Sequence, residues 1–319
     1  MRPVRTALAG ALLGALTLAA CGQSTGTESS ATATAAATPA PAASQDGGFP
    51  VTVQAGNGSV TIGHKPAQII SLSPSATESL FAIGAGPQVI AVDDQSTYPA
   101  EAPKSDLSGF KPNAEAIIAK KPDLVVLAND TGGIVAALTK VGIPVLLEPA
   151  ATKLDETYDE IADLGAATGN KAKADELAAG MKRQIDEIVA AAPKDKKLTY
   201  FHELDNTPYS VTSSTFIGQI YGLFGLANIA DTAPEAAGGY PKLSSEFVAK
   251  ADPDLIFLAD TKCCGQSKEA LAKRPGWGGL SAIAKDRVIT LDDDIASRWG
   301  PRVVDFVKIV DEAVTKAAA

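Results

Sequence analysis

The sequence predicts an α/β protein of two related lobes, each built on a parallel-rich sheet, with one long helix between them. Three observations carry this. Short, wholly apolar strands alternate with helical patterns in two series; a sixteen-residue segment recurs 131 positions later; and an amphipathic stretch of domain height separates the series.

In the first series Ile69-Ile70-Ser71-Leu72 is followed by a helical segment from Ser75 to Ile83 that stops at Gly84. Strands follow at 89–92, 124–128 and 145–147, with short helices at 114–119 and 134–140 between them. Strands that lack polar alternation belong in a parallel sheet covered by helices on both faces. The second series runs from Leu198-Thr199-Tyr200-Phe201 through a helical pattern over 214–224 to strands at 255–259 and 288–291. A closing helix is expected over 301–315, with Pro301 in its first turn, where no amide hydrogen is needed. Each series reads as one Rossmann-like lobe.

Asn113 to Ala128 recurs as Ser244 to Ala259, and Glu, Pro, Asp, Leu and a final Leu-Ala coincide at the fixed offset. Each copy reads as a capped helix with Glu in its first turn, a Pro-Asp joint and a buried strand. Between the series lie one helix over 154–168 and a longer one over 170–191. In the longer helix Ala174, Leu177, Ala178, Met181, Ile185, Ile188 and Val189 share one face. Its twenty-two residues span roughly 33 Å at 1.5 Å per residue, enough for a stiff rod joining two lobes.

The beginning of the chain has its own layout. Arg2 and Arg5 precede an apolar run of small residues to Ala20, as in a secretory signal, and the run is too short for a stable membrane span. Leu18-Ala19-Ala20-Cys21 is similar to the lipobox of bacterial lipoproteins, which implies cleavage before Cys21 and acylation of its sulfur. Several acyl chains, each methylene contributing roughly 0.8 kcal/mol, anchor firmly. The stretch to Gly48 is rich in Ala, Thr, Ser, Pro and Gly and buries too little to fold. The expected division is a signal at 1–20, a disordered lipid-anchored tether at 21–48, an N-terminal lobe at 49–169, a connecting helix at 170–192 and a C-terminal lobe at 193–319. The expected location is outside the cytoplasm, on the outer face of the cytoplasmic membrane or in a periplasm.

A net charge of −9 offers no basic footprint for nucleic acid. Besides Cys21 there are only Cys263 and Cys264, which are compatible with either a vicinal disulfide or two thiols; adjacent side chains diverge too far for a two-cysteine metal site. No catalytic constellation is visible. His64 and His202 are the only histidines, and neither a nucleophile elbow nor a phosphate-binding loop occurs. Gly84-Ala85-Gly86 is a helix stop, and Asp292-Asp293-Asp294 lacks the spaced ligands of a calcium loop. The chain is therefore expected not to be an enzyme, to carry no cofactor and to hold no metal by its own side chains.

Ile69 to Glu78, then Asp93 to Pro99, then the two repeats, resemble the substrate-binding proteins for ferric siderophores, haem and vitamin B12, with the vitamin-B12 binders most similar. The resemblance runs from about Lys65 to the end of the chain. It implies two lobes joined by one rigid helix, with a ligand cleft between them that closes little. It also implies a small-molecule metal chelate as ligand, carrying iron or cobalt already complexed, and the membrane subunits of an ABC permease as partner for a monomer. Glu115 and Glu246 fall on the positions that dock on permease arginines. Phe110 and Tyr240 fall on aromatic cleft walls, Asp294 and Arg298 on the last ligand loop, with Trp299 beside them. Gln95 and Tyr209 complete the candidate ligand set. Gln95 and Ala128 replace aromatic residues, which implies a flatter cleft, and the Arg298 guanidinium suits anionic oxygens. A ligand-sensing receptor lipoprotein is the alternative function, and a secreted metal-chelate enzyme a weaker one.

Overall fold

A computed structural model of the protein describes residues 48–194, 197–234 and 236–319. The expected signal, Cys21 and all of the tether except Gly48 lie outside these residues. Val51–Ala55 (β1) and Gly58–Ile62 (β2) pair antiparallel through Gly56-Asn57. This hairpin is absent from the sequence expectation, and it has a defined task. The Gly56 amide donates to Leu147 O at 2.7 Å, and the Asn57 side chain bonds Val145 O and the Leu147 amide, so the turn covers the edge of the first sheet.

That sheet is parallel, in the order β4-β3-β5-β6, from Ile69–Leu72 (β3), Val89–Val92 (β4), Leu124–Leu127 (β5) and Val145–Leu147 (β6). Its helices are Pro74–Ala82 (α1), Ala114–Ala119 (α2) and Ile134–Thr139 (α3). Leu154–Thr168 (α4) and Lys171–Ala191 (α5) follow. α4 ends at Gly169, whose φ of 69° is the left-handed conformation that glycine adopts without strain.

The second sheet repeats the order, β8-β7-β9-β10, from Thr199–Glu203 (β7), Ala227–Asn228 (β8), Leu255–Leu258 (β9) and Val288–Thr290 (β10). Its helices are Phe216–Gly222 (α6), Ser245–Ala251 (α7), Thr261–Cys264 (α8), Lys268–Ala272 (α9), Ser281–Ala284 (α10), Asp293–Ser297 (α11) and Val303–Ala318 (α12). α6 is narrower than its apolar pattern because Thr215 caps it, accepting from the Gly218 amide at 3.0 Å. α12 starts two residues later than expected, at Val303, with Pro301 and Arg302 in the turn before it.

The repeat extends further in space than in letters. Ile69 pairs with Leu124, and Tyr200 pairs with Leu255, so both strand pairs keep the offset of 131 that the helices show. The caps match as well: Asn113 accepts from the Ala116 amide and Ser244 from the Phe247 amide. Lys121 and Asp252, at the same offset, both have positive φ. Asp123 accepts from the Gln68 amide and Asp254 from the Thr199 amide, which ties each Pro-Asp joint to the start of the neighbouring strand.

Alternation along the strands divides the interior into three. Ile69, Leu124 and Val126 face one core, while Ile70, Val125 and Leu127 face another beside α2 and α3. In the second sheet Tyr200, Leu255 and Phe257 face the same central core as Ile69, while Phe201, Ile256 and Leu258 meet Trp277 on the far side. All seven apolar residues predicted for the face of α5 join the central core, which also takes in residues of α4 and α12. The connecting helix is thus a packed layer, and separating the sheets would expose apolar surface at roughly 25 cal/mol per Å².

Candidate functional site

The carboxyl ends of all four strands of the first sheet open on one cavity of about 430 Å³. β3 supplies Leu72 and Ser73, β4 the loop with Asp93, Gln95 and Phe110, β5 Ala128 and Asn129, and β6 Glu148. Ligand sites of open α/β sheets lie at such ends. The second half of the chain contributes Asp294, Ser297, Arg298 and Trp299 from α11 and the loop after it. Gly109 lets the β4 loop close tightly, because a Cβ there would sit 2.6 Å from Asp93 Oδ2 and 2.7 Å from Leu72 O.

Arg298 closes the polar side of the cavity. Its Nη1 donates to Thr97 Oγ1 at 2.9 Å, its Nη2 donates to Gln95 O at 2.8 Å, and Asp294 pairs with it at 2.8 Å. Three contacts inside the protein therefore occupy the guanidinium that sequence analysis matched to anionic oxygens. Phe110 stands 70% exposed at the rim, an apolar ring with little protein over it. Trp299 stacks on Phe216 at 4.8 Å, and its Nε1 has no protein acceptor.

The acidic side was not legible in the sequence. Glu148 is only 8% exposed, and its Oε1 has no hydrogen-bond partner. Burial, and then the charges of Asp163 and Glu160, push this carboxyl up to about 8. Burial, and then Glu156 and Asp163, push Glu160 on α4 up to about 8 as well. Asp93 is raised by burial against the hydrogen bond that Ser96 donates to it. Among the described residues no ion pair reaches Glu148, Glu160 or Asp163.

A second cavity of about 390 Å³ shares Ala150, Ala151 and Trp299 with the first and adds Thr215, Phe216 and Tyr240. Five of the seven candidate ligand residues, Gln95, Phe110, Asp294, Arg298 and Trp299, line the first cavity, and Tyr240 joins Trp299 in the second. Tyr209 lines neither; it bridges to Lys242, whose Nζ lies 5.6 Å from its ring centre. Glu115 and Glu246 are exposed at the second positions of α2 and α7. Cys263 and Cys264 are joined as a disulfide at the end of α8. The first amides of α8, from Thr261 to Cys263, donate to the carboxylate of Asp293, so the cystine turn grips the helix that carries Asp294.

Residues 69–295 match the family model described as periplasmic binding protein. The chain belongs to the periplasmic binding protein family. As a binding protein it is 32% identical over 315 residues to an uncharacterized ABC transporter substrate-binding lipoprotein, YvrC, of Bacillus subtilis, covering 95% of this chain and 94% of that one. Solved structures that share its fold include the following two. A possible iron-binding periplasmic solute-binding protein of Staphylococcus epidermidis is 28% identical, with a TM-score of 0.67 over 78% of this chain and 99% of that one. The periplasmic vitamin B12 binding protein BtuF of Vibrio cholerae is 26% identical, with a TM-score of 0.64 over 79% of this chain and 98% of that one. Among the described residues of this binding protein, no helix is long and apolar enough to cross a membrane, and no group of three or more His, Cys, Asp or Glu is arranged to hold a metal ion.

Proposed function

We propose that this protein is the extracytoplasmic substrate-binding lipoprotein of an ABC importer, which captures a metal chelate and hands it to the permease. The observation that carries this reading is the cavity at the strand ends of one sheet, closed by Asp294, Arg298 and Trp299 from the other half of the chain. The family match and the substrate-binding relative support it, and the likeness to a vitamin B12 binder and a possible iron binder favours a complexed metal as cargo. Gln95, Phe110, Tyr240, Asp294, Arg298 and Trp299 contact that cargo. Exposed Glu115 and Glu246, equivalent in the repeat, meet the permease, and acylated Cys21 holds the monomer at the membrane. Calorimetric titration of the full chain in detergent with cyanocobalamin, ferrioxamine B, a ferric tris-catecholate and haemin tests this. Saturable binding of one of them at about micromolar affinity or tighter, roughly −8 kcal/mol, is expected; no binding by any of the four overturns the reading.

A further inference from the structure

The charges around the first cavity do not balance. Asp93, Glu148, Glu160 and Asp294 line it, against the single cation Arg298. That cation is held by Asp294, Thr97 and the Gln95 carbonyl, which leaves little of it for an anionic cargo. The charged groups beside Glu148 are further carboxyls on α4, with Asp159 lining the same groove as Glu160 and Asp163. Glu160 and Asp163 are its electrostatic neighbours, and Glu156, beyond them, is the one that takes up Lys153, at 3.7 Å, and Thr152. Two buried polar atoms at the cavity lack protein partners, Glu148 Oε1 and Trp299 Nε1. An indole N–H only donates, and a carboxyl held neutral by burial also has a proton to give. Both call for acceptor oxygens that bring no negative charge with them.

We propose that Glu148 and Glu160 are ligand-contacting carboxylic acids that select an uncharged metal chelate rich in amide carbonyl oxygens and turn away polyanionic chelates. This rests on the transport reading above and narrows its cargo. A polyanion entering the cavity meets carboxyl groups and no free cation, whereas amide oxygens accept from the acids and from Trp299. Above the pH at which the acids ionise, their donors vanish and repulsion between them loosens the wall.

The test uses the full chain in detergent, with cyanocobalamin as the uncharged, amide-bearing probe and a trianionic ferric tris-catecholate as the contrasting one. At pH 6 the first is expected to bind about tenfold or more tightly than the second, and to weaken about tenfold by pH 9. In the Glu148→Gln, Glu160→Gln variant that pH dependence flattens to within about threefold. Preference for the tris-catecholate, or the same pH profile in variant and parent, overturns the inference while leaving the transport role standing. Failure of all four chelates to bind overturns both. Should the double variant not fold, infrared spectroscopy of the ligand-free parent and of Glu148→Gln and Glu160→Gln singly decides. The parent is expected to show a protonated-carboxyl band at pH 7 that it loses by pH 9, and each single variant to lack part of that band. A band absent from the parent at pH 7, or unchanged in both variants, overturns the inference.

Discussion

The Nη2 of Arg298 donates to the backbone carbonyl of Gln95 at 2.8 Å, so a side chain from the second half of the chain is fastened to the cavity wall built by the first. The same guanidinium reaches Thr97, and Thr97 in turn donates to Asp294 at 3.3 Å. The clasp is polar, local and set at the mouth of the site.

Arg298→Ala is accordingly expected to lower ligand affinity about tenfold and to cost about 1–3 kcal/mol of stability, since Asp294 and the Gln95 carbonyl lose a charged donor. Calorimetry and denaturant unfolding read the two effects. Parental affinity in the variant would remove the clasp from the binding machinery.

A second bond across the chain is buried. Glu78 on α1, almost fully enclosed, receives two hydrogen bonds from Arg302 at 2.5 and 2.9 Å, with the ring of Tyr98 4.2 Å from the guanidinium. Burial pushes the Glu78 carboxyl up and Arg302 pulls it back, with burial the larger influence. Glu78→Ala should cost about 3–5 kcal/mol by leaving Arg302 unpaired, while Glu78→Leu combined with Arg302→Met should cost much less. Equal losses in both would show that the pair contributes through shape alone.

His202 is fully buried in β7, with Nδ1 2.8 Å from the Tyr221 hydroxyl and Nε2 unpartnered. Burial lowers its pKa from 6.5 to about 3. Its folded pKa is depressed, so the unfolded chain takes up the proton first. Stability is lost as pH falls from 6.5 towards 3, about 2 kcal/mol by pH 5. Glu148 and Glu160 act with the opposite sign, because their raised carboxyls favour the folded state at lower pH. The difference between the parent and His202→Gln, measured by urea unfolding at pH 7 and pH 5, isolates the histidine. A difference that does not change with pH contradicts the assignment.

Glu115→Ala combined with Glu246→Ala should leave chelate affinity within about twofold of the parent and abolish uptake by cells, since both residues are exposed and neither lines a cavity. Uptake at the parental rate would remove their docking role and favour a sensing protein.

The strands at 69–72, 89–92 and 145–147 were legible because apolar runs between helices have one economical arrangement, and the repeat announced the second lobe. The β1–β2 hairpin was not assigned, although Gly56-Asn57 between alternating residues is a turn signal; only Val53 and Ile62 are buried, so the hydrophobic pattern is thin. The five cavity residues from the last loop and the β4 loop came from motif position. Glu148 and Glu160 did not, because a Glu after a strand and a Glu on an amphipathic helix both read as solvated. Their enclosure arises from the packing of α4 beside the strand ends, which one-dimensional spacing does not encode. Glu203, wholly buried and held by Arg274 at 2.6 Å, escaped for the same reason, its partner lying 71 residues away.

The core that runs unbroken from Ile69 to Tyr200 sets what an importer is able to sense. A receptor reading cargo through a large change of outline needs two bodies that swing apart, and here that swing would strip oil from oil. The loaded and empty silhouettes should be nearly superimposable. Discrimination then falls to the rim, at Phe110 and the Arg298 clasp, and a transporter would tell a full carrier from a vacant one by the texture of its mouth.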